Sequence, residues 1–300
     1  MTQERAAMSP EEVLRRLELT VNRRLDGLLL GDHRGLVPGH GTETGDTRFY
    51  EPGDDVRRID WNVTARTQAT HVRETIAERE LETWLVVDLS PSLDFGTVAC
   101  TKRDLAFNAA SATGLLTARG GNRLGAILLT GEGTVTFPAR TGRAHVRAVL
   151  HRALSAPRVD GGGTTDLGRA VRQLAAPSHR RGLAVIVSDF LVSSEWEQAF
   201  RMVARRHEVL AVEVLDPREM ELPDVGVLVV SDPETGRQRE VQTSAPGFGE
   251  RYARAAQAHR DEVAAALRRV GAEHLVLRTD GDWLVDLARF LSHPARRVRK

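Results

Sequence analysis

At 300 residues the chain exceeds a typical single domain, and one large domain with a smaller companion is the expected organisation. A formal net charge of +1 supplies no global field for nucleic acid or an anionic membrane, so neither is expected as a partner. The single cysteine, Cys100, excludes disulfides within the chain and cysteine-based zinc sites. No apolar run approaches the roughly 20 residues of a membrane span, and the amino terminus has no apolar signal core. A cytoplasmic protein without membrane insertion is expected. The basic residues are almost all arginine; lysine stands only at Lys102 and Lys300.

Ser9-Pro10-Glu11-Glu12 predicts a helix start, with Ser9 as N-cap, Pro10 in the first helical position and Glu12 closing a capping box. Leu14, Leu17, Val21, Leu25 and Leu28 follow at helical spacing, so residues 1–34 read as an amino-terminal packing helix. Residues 35–80 differ in character. Glycines at 35, 39, 41 and 45 precede Arg48-Phe49-Tyr50-Glu51-Pro52-Gly53-Asp54-Asp55-Val56-Arg57-Arg58-Ile59-Asp60-Trp61. Pro52-Gly53-Asp54 is turn chemistry. Ile59, Trp61 and Val63 alternate with polar residues as a strand would, and Val72 begins another strand. The expectation is a small β-rich module whose Asp54, Asp55, Arg57, Arg58, Asp60 and Trp61 are candidate partner-binding residues. The same charges, with Arg48 and Arg66, read equally as a solvated ion-pair cluster.

From residue 81 onward strands and helices alternate. Helices are predicted at 102–118, 143–154, 167–175, 195–206, 250–270 and 283–291. Strands are predicted at 85–89, 124–129, 134–137, 183–187, 209–214 and 275–277, with a hairpin around Glu234-Thr235-Gly236. In the helix at 102–118, Leu105, Ala109, Ala112 and Leu116 mark one apolar face. Such alternation means an α/β domain over 81–300, with a mostly parallel sheet and helices on both faces.

Three loops of that domain bring oxygen to the carboxyl edge of the sheet, where open α/β sheets bind ligands. The buried strand 85–89 runs into Asp88-Leu89-Ser90-Pro91-Ser92. In an extended chain Asp88, Ser90 and Ser92 point to one side. Gly161-Gly162-Gly163 leads to Thr164 and Thr165, and the strand 183–187 ends in Ser188-Asp189. Two carboxylates and three hydroxyls suit Mg²⁺ or Mn²⁺ with one position open to an outside ligand. The competing reading is that these residues only cap helices.

The constellation resembles the von Willebrand factor A domain and its metal-ion-dependent adhesion site. The resemblance implies that Ser90, Ser92 and a threonine bind the cation directly while Asp88 and Asp189 act directly or through water. Counting from the helix favours Thr165, and counting from the glycines favours Thr164. The open position then takes a carboxylate from a client protein, which makes the module a binder rather than an enzyme.

The stretch 48–61, with Ala65-Arg66 and the later Asp-x-Ser-x-Ser strand, resembles the bacterial family called domain of unknown function 58 over roughly residues 35–290. Thr44 departs from it, standing where relatives often carry an aromatic residue. Many relatives carry transmembrane helices, which this sequence lacks. The resemblance implies a MoxR-type AAA+ ATPase as partner, in assembly or activation of client proteins. No phosphate loop, nucleophile elbow or His-Glu-x-x-His pattern is present in the sequence. The alternatives are a Mg²⁺-dependent phosphohydrolase and a metal-free scaffold with a degenerate site.

Overall fold

The computed structural model describes residues 9–28, 47–51, 54, 56, 59–73, 82–158, 165–174, 181–191 and 196–292. The first helix, Pro10–Leu28 (α1), opens with the expected box: the Ser9 N–H and hydroxyl donate to the Glu12 carboxylate, and the Glu12 N–H donates to Ser9 Oγ. Its Val13, Leu17 and Val21 are buried in the core of the large domain. Ion pairs Arg24–Asp282 (2.6 Å) and Arg147–Glu18 (2.9 Å) tie it at its edges.

Thr47–Phe49 (β1) pairs antiparallel with His71–Arg73 (β2). Between them Ile59 keeps an isolated antiparallel bridge to Val72, but Trp61 and Val63 of the expected strand lie in a helix, Trp61–Thr67 (α2). The physical reason is Asp60, whose carboxylate accepts from the N–H groups of Asn62 and Val63 and so starts a helix. Three alternating apolar residues are too short a run to decide the period. Asp60 is buried in this capping role, whereas Trp61 is 69% exposed. Asp54 accepts from the Glu51 N–H in a local turn. Asp55, Arg57 and Arg58 lie outside the described residues.

The large domain follows as Glu82–Leu89 (β3), Lys102–Arg119 (α3), Arg123–Thr130 (β4), Gly133–Arg140 (β5), Arg143–Leu154 (α4) and Leu167–Leu174 (α5). Next come Gly182–Ser188 (β6), Trp196–Ala204 (α6), His207–Leu215 (β7), the hairpin Val227–Ser231 (β8) and Gln238–Gln242 (β9), then Phe248–Arg269 (α7), Glu273–Arg278 (β10) and Trp283–Ser292 (α8). The main sheet has the order β10-β7-β6-β3-β4-β5. Its pairings are parallel except β4–β5, which is antiparallel and places β5 at an edge. The mostly parallel α/β sheet implied by the alternation is therefore present. Strand order reverses between β3 and β6, which opens a crevice at their carboxyl ends.

Side chains of β3 alternate between two cores. Leu85, Val87 and Leu89 pack with α1, α3, α4 and α8, while Trp84 and Val86 pack with α5, α6 and α7. Helix α3 is buried nearly all round, down to Lys102, Asn108 and Ser111, and not on one face as the sequence suggested. Its small residues Ala109, Ala110, Ser111, Ala112 and Gly114 let sheet and helices close in on it from several sides, which erases the amphipathic period.

Trp84 lies flat against the neighbouring strand at Gly125, where an added Cβ would stand 2.6 Å from the indole ring. Gly125→Ala is expected to lower stability by about 1–3 kcal/mol, since a fully packed indole has nowhere to move. A urea midpoint unchanged from the parent would contradict this packing.

Candidate functional site

Parallel register sets Val87 of β3 against Val187 of β6, so Asp88 and Ser188 are neighbours at the crevice. Ser188 Oγ donates to Asp88 Oδ2 at 2.7 Å, and the Ser90 N–H donates to Oδ1 at 3.0 Å. Burial, and then the nearby charge of Asp189, push the Asp88 carboxyl up to about 6, against hydrogen bonds from Ser90 and Ser188 that pull it down.

Beyond Ser90 the chain does not stay extended. Pro91, with its fixed φ, starts a 3₁₀ turn at Pro91–Asp94. The turn nonetheless brings the two hydroxyls together, Ser90 Oγ lying 3.1 Å from Ser92 Oγ. Ser90 opens this turn without a side-chain capping bond, so capping is not what its hydroxyl does. Arg103 braces the loop by donating to Leu89 O at 2.7 Å and to Asp94 at 3.0 Å.

At the start of α5 the work of capping falls to Asp166, which accepts from the Arg169 N–H at 2.7 Å. That leaves the Thr165 hydroxyl available, and it faces the same crevice (its partner is described below). Thr164 lies outside the described residues, as do Gly161, Gly162 and Gly163.

Asp189 is 1% exposed and directly follows the end of β6 at Ser188. The next residue, Phe190, sits at φ 53°, a left-handed conformation that a bulky residue seldom adopts. It is held there by edge-on contacts with Trp196 and Phe200, and its N–H donates to Ser188 Oγ. Backbone strain of this kind persists only where packing over-determines it. Here that packing fixes the Asp189 loop, whose Oδ1 accepts from the Leu191 N–H and whose carbonyl accepts from Arg260 at 2.9 Å.

The profile of the family described as protein of unknown function DUF58 matches residues 46–262. The chain belongs to the DUF58 family. Among relatives of this DUF58 chain, the uncharacterized protein Rv1480 of Mycobacterium tuberculosis (strain ATCC 25618 / H37Rv) is 54% identical over 283 residues, 94% of this chain and 89% of its own. A Paracoccus denitrificans protein described as uncharacterized, in the moxR 3′ region, is 41% identical over 95 residues, 31% of this chain and 86% of its own. Among solved structures, the hypothetical protein BatB from Bacteroides thetaiotaomicron aligns with 71% of this chain and 97% of its own at 13% identity and a TM-score of 0.45. The fold of the DUF58 chain is von Willebrand A-like in its own topology, with a mostly parallel sheet, one antiparallel edge strand and helices on both faces. No helix among the described residues is long and apolar enough to cross a membrane.

Three further side chains of the DUF58 chain enter the site, and sequence reasoning missed all three. Lys102, 1% exposed, donates from Nζ to Asp189 Oδ2 at 2.8 Å and to Glu219 Oε1. Burial alone would lower its pKa, but the carboxylates of Asp189 and Glu219 outweigh that and hold it above the ordinary lysine value. Glu234, at the tip of the β8–β9 hairpin, accepts from the Ser92 N–H at 3.3 Å and from Thr165 Oγ1 at 2.8 Å. The signal for Lys102 was its rarity: it is one of only two lysines among many arginines, at the first turn of the helix that follows the Asp-x-Ser-x-Ser loop. Glu219 and Glu234 carried no local signal.

Among the described residues no group of three His, Cys, Asp or Glu side chains is placed to hold a metal. Hydroxyls must therefore supply part of any coordination. The 3.1 Å between Ser90 Oγ and Ser92 Oγ matches the edge of an octahedron, about 3 Å for oxygens at roughly 2.1 Å from Mg²⁺. The donor set, all oxygen, fits a hard dication. Lys102 offsets part of the negative charge, so attraction for a cation is weaker than two free carboxylates would give.

A third carboxylate at the sheet edge, Asp216, is a brace. It accepts from Thr97 N–H and Oγ1, Thr279 Oγ1 and the Arg218 N–H. With its lone pairs occupied it ties together the loops after β3, β7 and β10.

Proposed function

We propose that this chain is a metal-dependent protein-binding module, acting as an adaptor or co-chaperone with a MoxR-type AAA+ ATPase in the assembly or activation of client proteins. The observation that carries the reading is the meeting of Ser90 and Ser92 hydroxyls 3.1 Å apart beside two buried carboxylates at the switch point of the sheet. Ser90, Ser92 and Thr165 would hold Mg²⁺ or Mn²⁺ directly, with Asp88 and Asp189 behind them; the cation would supply an electrophilic position for a client carboxylate. Support for the ATPase comes from the relative described as lying in the moxR 3′ region.

The test is calorimetric titration of Mg²⁺ and Mn²⁺ into the full chain and into Ser90→Ala and Asp189→Asn, with folding checked by circular dichroism. Saturable binding by the parent, lost in Ser90→Ala and weakened in Asp189→Asn, is the expected result. Capture of a MoxR-type ATPase in Mg²⁺ but not in EDTA would then extend it to the partner. One observation favours a second reading. The Lys102 ammonium already stands between Asp189 and Glu219 as a built-in cation, as a metal-free scaffold would require. Heatless titrations together with EDTA-insensitive capture of the ATPase would select that reading.

A further inference from the structure

Glu234 reaches the site from a distant part of the chain. Its hairpin is largely solvent-exposed along both strands, so little apolar burial holds the ribbon in place. The turn itself is rigid: Asp232 accepts from the Glu234 N–H at 3.0 Å, the Gly236 N–H returns to Asp232 O, and Gly236 sits at φ 70°, where glycine is favoured. This turn presents the carboxylate so that one oxygen meets the Asp-x-Ser-x-Ser loop and the other meets Thr165. Glu234 thus bridges two of the loops whose hydroxyls face the crevice. It also brings a negative charge to a site whose inner carboxylates are buried behind those hydroxyls.

We propose that Glu234 is a tethered occupant of the position a partner's carboxylate takes, so that an acidic partner segment enters only by displacing the β8–β9 tip. The inference rests on the metal-site reading above and adds a regulation to it. A tip that is docked nine parts in ten reduces the apparent affinity of a competing carboxylate about tenfold, because only the open fraction is competent. The hairpin is then a threshold: an isolated acidic group binds about tenfold more weakly, and a partner with contacts beyond one carboxylate overcomes the difference.

The experiment uses the full chain loaded with Mn²⁺, and water-proton relaxation to follow water on the ion, with acetate as the carboxylate probe. Glu234→Ala is expected to hold Mn²⁺ more weakly, to relax water more strongly per bound ion, and to respond to about tenfold less acetate than the parent. Glu234→Gln, neutral and nearly isosteric, should shift in the same directions. Weaker metal with tighter acetate is a combination that loss of folding would not produce. Mn²⁺ bound by the parent and lost in Ser90→Ala, with relaxation and acetate response unchanged in both Glu234 variants, overturns this inference and leaves the metal site standing. Failure of parent and variants alike to hold Mn²⁺ overturns both.

Discussion

Lys102→Met is expected to lower the stability of the chain by about 3–5 kcal/mol at neutral pH, measured by urea unfolding. Lys102 and Asp189 are each 1% exposed, and Nζ lies 2.8 Å from the carboxylate. Removing the ammonium leaves Asp189 charged, buried and short of a partner, and that uncompensated charge is the main source of the loss. Glu219, at 14% exposure, has a route to water and adds less. Two controls separate this account from simple loss of packing. The double variant Lys102→Met/Asp189→Asn should be more stable than Lys102→Met alone, because the second change removes the stranded charge. On the metal-site proposal, Mg²⁺ should stabilise Lys102→Met more than it stabilises the parent, because the ion would meet a site with one positive charge fewer. A Lys102→Met variant within about 0.5 kcal/mol of the parent would sink the argument, since only surface changes are that mild.

The framework of the large domain was legible because buried parallel strands leave short β-branched runs and the helices between them leave a helical period. The strands predicted at 85–89 and 183–187 put Asp88, Ser90 and Asp189 at the carboxyl edge of the sheet, and the observed strands end there, at Leu89 and Ser188. Two elements depart from the sequence pattern for opposite reasons. At Trp61 and Val63 the alternation that begins with the bridged Ile59 imitates a longer strand, while Asp60 is the stronger local signal, a helix cap. In α3 the apolar period was present but understated burial, because alanine, serine and glycine contribute little to an apolar pattern and yet permit close approach all round. The site was legible only as far as each loop could be read alone. Lys102 to Asp189 spans 87 residues and Thr165 to Glu234 spans 69, and pairings at such distances are set by tertiary packing. A reading of loops gave the oxygens of the site. It did not give the ammonium that balances them or the carboxylate that covers them.

Glu213→Gln is expected to destabilise the chain by about 3 kcal/mol at pH 7, for a reason that runs from the core to the site. Glu213, in the middle of β7, is 1% exposed and accepts from Arg260 of α7 and from His274 Nε2 of β10, the latter at 2.7 Å. Burial raises its pKa, but the hydrogen bond from His274 and the charge of Arg260 outweigh burial and hold it below the ordinary glutamate value. A carboxylate with a depressed folded pKa contributes stability that is fully present above its unfolded pKa and is lost as pH falls through the folded value. The gap between parent and Glu213→Gln should therefore be widest near pH 7 and should narrow as pH falls below 4.5, where the parent's own Glu213 takes up a proton. The same guanidinium donates to the Asp189 carbonyl, so Glu213 holds Arg260, and Arg260 holds the loop that carries Asp189. On the metal-site proposal, loss of Glu213 should consequently weaken Mn²⁺ binding in the folded variant, although Glu213 faces the core. A stability gap independent of pH between 3 and 7 would show that Glu213 has the same pKa in the folded and unfolded chains, so that His274 and Arg260 do not depress it. A variant that is destabilised but binds Mn²⁺ as the parent does would show that the Arg260 link carries no coupling to the site.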